Sequence, residues 1–149
     1  MSLTAITPYL TVPDAKEAIA WYQKVFDATQ PERNLEGPDG STIHGMIQIG
    51  DGHVMLSDHN PDWGTHTPAE LGGTPVRINV VFPNVDEVAK LTEENGGKIL
   101  EPVADQFYGM RAGRIQDPFG HVWIISQWLE EISADEMQRR FDEMTKADS

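Results

Sequence analysis

The chain has 149 residues, of which 39% are hydrophobic, and this length and composition predict one domain spanning residues 1–149. Its 24 acidic and 11 basic residues give a formal net charge of −13, which disfavours binding to nucleic acid or to a membrane surface. The absence of cysteine excludes disulfides, thiolate metal sites and cysteine nucleophiles.

The first predicted elements are a strand and a helix. An apolar run ends at Pro13, and Asp14 follows as a helix N-cap, with Glu17 three residues later to close a capping box. Apolar residues recur every three or four positions through residues 15–26, so we expect a helix with one buried face.

A hairpin is predicted next. Residues 42–49 and 53–57 are rich in strand-forming side chains and flank Gly50-Asp51-Gly52, a typical hairpin turn. A strand, a helix and then two or three strands form a first module over about residues 6–60.

The same elements recur downstream. Residues 80–88 repeat residues 10–18 at an offset of 70, so Asn84 is predicted to cap a second helix over residues 85–94, with Glu87 closing its capping box. Gly96-Gly97 is expected to end that helix, since glycine tolerates the left-handed conformation at a helix C-terminus.

A second hairpin closes the repeat. Residues 120–125 repeat residues 52–57 at an offset of 68, and residues 110–116 and 121–127 flank a Pro- and Gly-containing turn. The second module thus covers about residues 76–127. Beyond it, Ser133 and Glu136 predict a capped helix over about residues 134–146, whose apolar side must dock on its own sheet or on a partner subunit.

The duplicated βαβββ pattern resembles the vicinal oxygen chelate superfamily, which includes glyoxalase I, bleomycin-resistance proteins and extradiol dioxygenases. The resemblance covers residues 6–127, and its most specific part is Asp117-Pro118-Phe119-Gly120-His121-Val122-Trp123. Together with Thr7-Pro8-Tyr9-Leu10 and Phe107-Tyr108-Gly109-Met110-Arg111, this segment is similar to the PhnB-like subgroup. The resemblance implies an α+β fold in which two βαβββ modules with curled mixed sheets form an open cup, plus the C-terminal helix. It also implies a homodimer.

The superfamily usually binds a divalent metal through His and Glu side chains on four strands. In this sequence the matching positions fall on Thr7, Leu56, Arg77 and Ile124, none of which suits a divalent ion. We therefore expect no metal at that site and no cofactor. An alternative metal site is His44 with His59, because a two-residue Asp51-Gly52 turn would place these histidines opposite each other.

Polar and aromatic side chains are the better candidates for ligand contact. Strand alternation and the aromatic loop segments select nine ligand-binding candidates: Thr7, Tyr9, Asp58, Trp63, Arg77, Asn79, Phe107, Tyr108 and Arg111. Arg77 needs an anion, either an internal carboxylate such as Asp58 or a ligand. The sequence identifies no catalytic residue, because it contains no nucleophile beside a base and no carboxylate pair at a fixed spacing.

Two main functions remain open. The first is a metal-independent protein that binds and sequesters a small aromatic or cationic compound. The second is a lyase or isomerase that acts on a small oxygenated metabolite through side-chain acids and bases or a non-standard metal site. An interaction module without a ligand is a third possibility. A small-molecule ligand, a homodimer and a cytoplasmic location are expected, the last because the sequence has no signal peptide or long apolar segment.

Overall fold

The computed structural model describes residues 4–147, which divide into two compact units. The first unit contains the residues up to Val76 and the short segment Asp117–His121, and the second contains Arg77–Gln116 and the residues from Val122 onward. Each unit carries one copy of the predicted repeat. The assignment of the whole chain to one domain stays a prediction.

The helices and strands follow the predicted order. The first unit contains β1 (Tyr9–Val12), α1 (Ala15–Phe26), β2 (Leu35–Glu36), β3 (Thr42–Ile49), β4 (Gly52–Asp58), a 3₁₀-helix (Pro61–Trp63) and α2 (Pro68–Leu71). The second unit contains β5 (Arg77–Val81), α3 (Val85–Glu94), β6 (Lys98–Asp105), β7 (Met110–Gln116), β8 (Val122–Trp128) and α4 (Ala134–Ala147).

Each unit contains a four-stranded mixed sheet with the same topology. The strand orders are β1-β4-β3-β2 and β5-β8-β7-β6, and neither sheet closes into a barrel. In both sheets the first pair is parallel and the other pairs are antiparallel. The α+β class, the two mixed sheets and the C-terminal helix are therefore confirmed.

The first turn of each long helix is capped partly by a side chain from the end of the neighbouring strand. The Asp14 carboxylate accepts from the backbone N–H groups of residues 16 and 17, while the Ala15 N–H donates to Asp58 at 2.7 Å. In α3 the Val85 N–H donates to the Gln127 side chain at 3.0 Å. The N–H groups at a helix start have no partner within the helix, so these side chains stabilise both helices.

The predicted capping role of the Asn84 side chain is wrong. Asn84 occupies the N-cap position, but its side chain makes no capping bond and its amide instead donates to Glu87 at 3.0 Å. The Gln127 side chain accepts the first N–H of this helix.

The hairpin turn lies one residue earlier than expected, which moves each cross-strand partner by two residues. The turn is Gly50-Asp51, because Ile49 pairs with Gly52 across the hairpin. Gly50 has a φ of 56°, a left-handed conformation in which glycine carries no steric penalty.

The pairing of β1 with β4 shows which face of β4 each side chain occupies. Leu56 lies beside Leu10, and both are buried. Met55 lies beside Tyr9, whose side chain is 52% exposed. The placement of Leu56 on the open face of the sheet is therefore corrected, and Met55 takes that position.

The C-terminal helix packs on its own unit. Arg140 donates to the Phe107 carbonyl and to Glu130, and the Phe141 ring contacts the Phe107 ring at 5.5 Å between centroids. Phe141 nevertheless remains exposed on one side, as do Met137 and Met144. The homodimer stays a prediction.

Every helix within residues 4–147 is too short or too polar to cross a bilayer.

A buried polar contact holds the segment Asp117–His121 in the first unit. One carboxylate oxygen of Asp117 accepts the Tyr22 hydroxyl at 2.5 Å, and the other accepts the backbone N–H groups of residues 119 and 121. Tyr22 is fully buried and packs against Phe119. Burial, followed by the charge of Asp117, raises the pKa of Tyr22 well above its usual value.

We expect Tyr22→Phe to lower the free energy of unfolding by about 2 kcal/mol at pH 7, since the variant leaves a buried carboxylate oxygen without this donor. The folded-state pKa of Tyr22 is raised, so its stabilising contribution is complete below the unfolded-state pKa near 10 and is lost as the pH rises above it. Urea unfolding between pH 7 and 11 tests both points. An unchanged midpoint, or an equally steep alkaline loss in the variant, would contradict them.

Candidate functional site

A cleft of about 350 Å³ opens in the first unit beside the ends of β1, β3 and β4. Its walls combine two large aromatic rings with several polar side chains. The residues that line it are Tyr9, Ser41, Thr42, Ile43, Ser57, Asp58, His59, Asn60, Trp63 and Thr65.

Trp63 is presented by a closed loop. Asn60 and Thr65 bond to each other through their backbones in both directions at 3.1 Å, and the Thr65 hydroxyl adds a third bond to the Asn60 N–H at 2.9 Å. Pro61 begins the short 3₁₀-helix inside this loop, and Gly64 ends it in a left-handed conformation. The loop is thus internally hydrogen-bonded, while the Trp63 ring at its tip is 67% exposed.

Tyr9, which also lines the cleft, is held by His44. The Tyr9 hydroxyl lies 2.8 Å from Nδ1 of His44, and the two rings are tilted against each other. Partial burial raises the pKa of Tyr9, and a hydrogen bond with Ser57 opposes that shift more weakly. Tyr9 therefore remains a neutral hydroxyl that can donate a hydrogen bond.

His59 forms the second histidine contact of the cleft. Its Nδ1 lies 2.8 Å from a carboxylate oxygen of Glu70, which also accepts the Thr67 N–H. These contacts lower the pKa of Glu70 to about 2, with the Thr67 backbone as the largest cause. The expected pairing of His44 with His59 is wrong, because the Gly50-Asp51 turn shifts the register and each histidine contacts a different side chain.

Asp58 and Thr42 complete the floor of the cleft. The two oxygens of Asp58 accept the Ala15 N–H at 2.7 Å and the Thr42 N–H at 2.9 Å. The Thr42 hydroxyl is buried and is a polar side-chain atom without a partner within the described part of the chain. An unpaired buried hydroxyl is unusual and costs free energy.

The second unit has a smaller pocket of about 130 Å³. Its polar wall contains two arginines and a few hydrogen-bonding side chains, with Ile124 and the strand β7 behind them. These polar residues are Arg77, Glu101, Gln106, Tyr108 and Arg114.

The structure places five of the nine predicted ligand-binding residues in the two cavities and four outside them. Tyr9, Asp58 and Trp63 line the cleft of the first unit, and Arg77 and Tyr108 line the pocket of the second. The other four line neither cavity: Thr7, Asn79, Phe107 and Arg111.

Three of these four have other contacts. Arg111 binds Asp86 and Asp105, Phe107 packs on neighbouring rings, and Asn79 accepts the Ser126 hydroxyl at 2.8 Å. The two carboxylates raise the pKa of Arg111, so its charge is already matched within the protein.

Sequence reasoning missed two features of these cavities. The sequence suggested only a metal-ligand role for His59. Its hydrogen-bond partner Glu70 lies eleven residues away in a short helix that was not predicted. Sequence reasoning also did not select Arg114. Strand alternation gave a usable signal for this residue, since Arg114 pairs with Ile124 across β7 and β8 and shares its face of the sheet.

A match to a family model identifies the family of this chain. Residues 3–125 match the family model described as Glyoxalase/Bleomycin resistance protein/Dioxygenase superfamily. The chain belongs to this superfamily. An uncharacterized protein of Mycobacterium bovis is 39% identical over 137 residues, which cover 90% of each chain.

Solved structures of this superfamily fold resemble the chain at lower identity. TioX from Micromonospora sp. ML1 is 24% identical, with a TM-score of 0.65 over 85% of this chain and 100% of that chain. The fosfomycin resistance protein FosX from Listeria monocytogenes, complexed with Mn(II) and sulfate, is 16% identical, with a TM-score of 0.64 over 95% of this chain and 99% of that one. At these identities the likeness establishes the fold.

The superfamily's usual metal does not fit the residues found here. The first unit offers Thr7 and, after correction of the register, Met55, while the second offers Arg77 and Ile124. A divalent ion needs imidazole or carboxylate ligands, and a guanidinium repels it. Residues 4–147 also contain no group of three or more His, Cys, Asp or Glu side chains placed to hold a metal.

We expect Asp58→Ala to lower the free energy of unfolding by about 2 kcal/mol, because two backbone N–H groups lose a charged acceptor. Urea unfolding followed by circular dichroism measures this change. Asp62→Ala, which alters an exposed carboxylate in the Trp63 loop, is the control and should shift stability by less than about 0.5 kcal/mol. Equal effects of the two substitutions would show that Asp58 does not stabilise the helix.

Proposed function

We propose that this protein is a metal-independent small-molecule-binding member of the superfamily and that the cleft of the first unit sequesters a planar aromatic cation. The observation that carries this proposal is the pair of exposed rings, Tyr9 and Trp63, on the wall of one cleft. Aromatic faces attract cations and stack on planar ligands, and tryptophan is the most effective of them. The residues quoted for the PhnB-like resemblance support placement in that subgroup as part of the same proposal.

The charges around the cleft favour a cationic ligand. Its lining contains no lysine or arginine within the described residues. Glu70 is ionised behind His59, and Asp62 adjoins Trp63 in the loop. The formal net charge of −13 adds a long-range attraction for cations.

The floor of the cleft offers polar contacts that would orient such a ligand. Tyr9 and Ser57 provide neutral hydroxyl groups, and Thr42, whose hydroxyl is unpaired, also lines the cleft. A ligand that reaches Thr42 after a small side-chain movement would give this hydroxyl its missing partner. Most pockets of this type combine apolar walls with a few such polar groups.

Side-chain chemistry supports metal independence. The four positions that match the superfamily's metal ligands contain no imidazole or carboxylate. Stacking and charge attraction at Trp63 need no ion, so binding is expected to be unchanged by a chelator.

Trp63→Ala should weaken binding of 1-methylquinolinium by about tenfold, which corresponds to the loss of a partly desolvated cation–π contact. The matched control is Trp128→Ala, because Trp128 is 66% exposed and lies in the second unit. Isothermal titration calorimetry on the full chain, with and without EDTA, measures both variants.

Three results would overturn the proposed function. They are equal losses in the two tryptophan variants, binding that disappears with EDTA, and affinity for neutral 1-methylnaphthalene equal to that for the cation. The last comparison isolates the contribution of charge, since the two probes have nearly the same shape.

A second candidate function is proton transfer by a lyase or isomerase, and the His59–Glu70 contact favours it. When Nδ1 of His59 donates to Glu70, Nε2 keeps the lone pair of a general base. The neutral Tyr9 hydroxyl in the same cleft would serve as the acid or as a hydrogen-bond donor to a developing oxyanion. In this candidate function the proton moves between substrate carbon and His59, and no metal takes part.

If His59 is a general base, the protein will catalyse solvent deuterium incorporation at the carbon beside the carbonyl of a small ketone or 2-oxo acid, measured by proton NMR. His59→Gln should abolish this exchange, whereas His53→Gln, which changes an exposed histidine on β4, should leave it unchanged. A rate with a series of such compounds that never exceeds the buffer rate, or equal rates in both variants, would reject the candidate.

A further inference from the structure

We propose that the small pocket of the second unit binds the oxyanion of a small molecule, a carboxylate or a phosphate group, between Arg77 and Arg114. This inference goes beyond the proposed function, because the pocket belongs to the other unit, has the opposite local charge and contains none of the residues of the aromatic cleft.

Arg77 and Arg114 have no ion pair within residues 4–147, unlike the three arginines of the same unit that bind carboxylates. Arg111, Arg139 and Arg140 each bind two carboxylates. Arg77 and Arg114 have no carboxylate within 4.0 Å among residues 4–147. In a chain with 24 acidic and 11 basic residues, two unpaired arginines on the wall of one pocket are unexpected.

The strand register places both arginines on the same face of the sheet. Arg77 on β5 pairs with Val122 of β8, and Arg114 on β7 pairs with Ile124 of β8. Val122 and Ile124 are two residues apart, so their side chains point to one face, and residues paired with them share it. The arginines therefore approach the pocket from the two sides of the central strand β8.

Two guanidinium groups beside one small cavity repel each other unless an anion lies between them. A carboxylate or phosphate accepts paired N–H groups from a guanidinium in a planar geometry that lysine cannot provide. A volume of about 130 Å³ suits such a group with few attached atoms. The side-chain chemistry and the size of the pocket thus both fit a small carboxylate or phosphate group.

The other polar residues narrow the chemistry of the ligand. Gln106 and Tyr108 offer neutral hydrogen-bond donors, and burial with the nearby charge of Glu101 raises the pKa of Tyr108, which keeps its hydroxyl protonated. Glu101 also pairs across the strands with Arg114. Its carboxylate leaves the pocket a formal charge of about +1, so a monoanion is favoured over a dianion.

The test uses the full chain and two probes, acetate and inorganic phosphate, titrated while the arginine Nε–H signals are followed by two-dimensional NMR. Arg77→Gln and Arg114→Gln should each weaken binding by about tenfold, as expected when a charge-assisted hydrogen bond to the anion is lost. Arg33→Gln is the matched control, because Arg33 has no ion pair within residues 4–147 and lies in the first unit; its effect should stay within twofold.

A gain of affinity provides an independent check that a misfolded variant cannot imitate. Glu101→Gln removes the negative charge from the pocket and should strengthen phosphate binding by about tenfold, with a smaller gain for acetate. Binding of acetate alone would support a carboxylate ligand, and binding of phosphate alone would support a phosphate ester. No binding of either probe, or equal losses in Arg33→Gln and Arg77→Gln, would overturn the proposal.

Discussion

In both repeats, the first N–H of the long helix is held by a side chain from the end of the parallel strand beside it. Asp58 does this for α1 and Gln127 does it for α3. The contact fixes where each helix begins relative to its sheet, so it also determines which strand residues are covered by the helix. Leu10 and Leu56 are buried in the first unit as a result, and Tyr9 is left on the open face.

The same constraint explains what the sequence could and could not predict. The helices over residues 15–26 and 85–94 are marked by apolar periodicity, the second also by the glycines after it, and they lie where predicted. The strand faces depend on a single residue in the alignment of the two repeats, because side chains alternate at every position. A sequence offset of 68 aligned Leu56 with Ile124, whereas the structure matches Met55 to Ile124, each beside the first strand of its own unit.

The site residues were harder to predict, because their roles depend on partners far away in the sequence. Asp58 was selected as a ligand contact, yet both its oxygens bind backbone N–H groups. Arg111 was selected because it follows an aromatic segment, yet Asp86 and Asp105 both bind it. The local sequence pattern identified side chains whose chemistry suits ligand contact. Only the fold shows which of them already bind another group of the protein.

The two copies of the repeat therefore share the same framework and differ on the open faces of their sheets, where side chains are not needed for packing. Helix starts, strand order and buried faces are shared, since any change there would cost stability. The open faces are free to differ: Tyr9 and Met55 adjoin one another in the first unit, while Asn79 and Ile124 occupy the same places in the second. The proposed cation site uses the aromatic rings on the open face of the first unit, and the proposed anion site uses the guanidinium groups of the second. In this proposal one duplicated framework carries two sites of opposite charge, because neither site requires a change in the core.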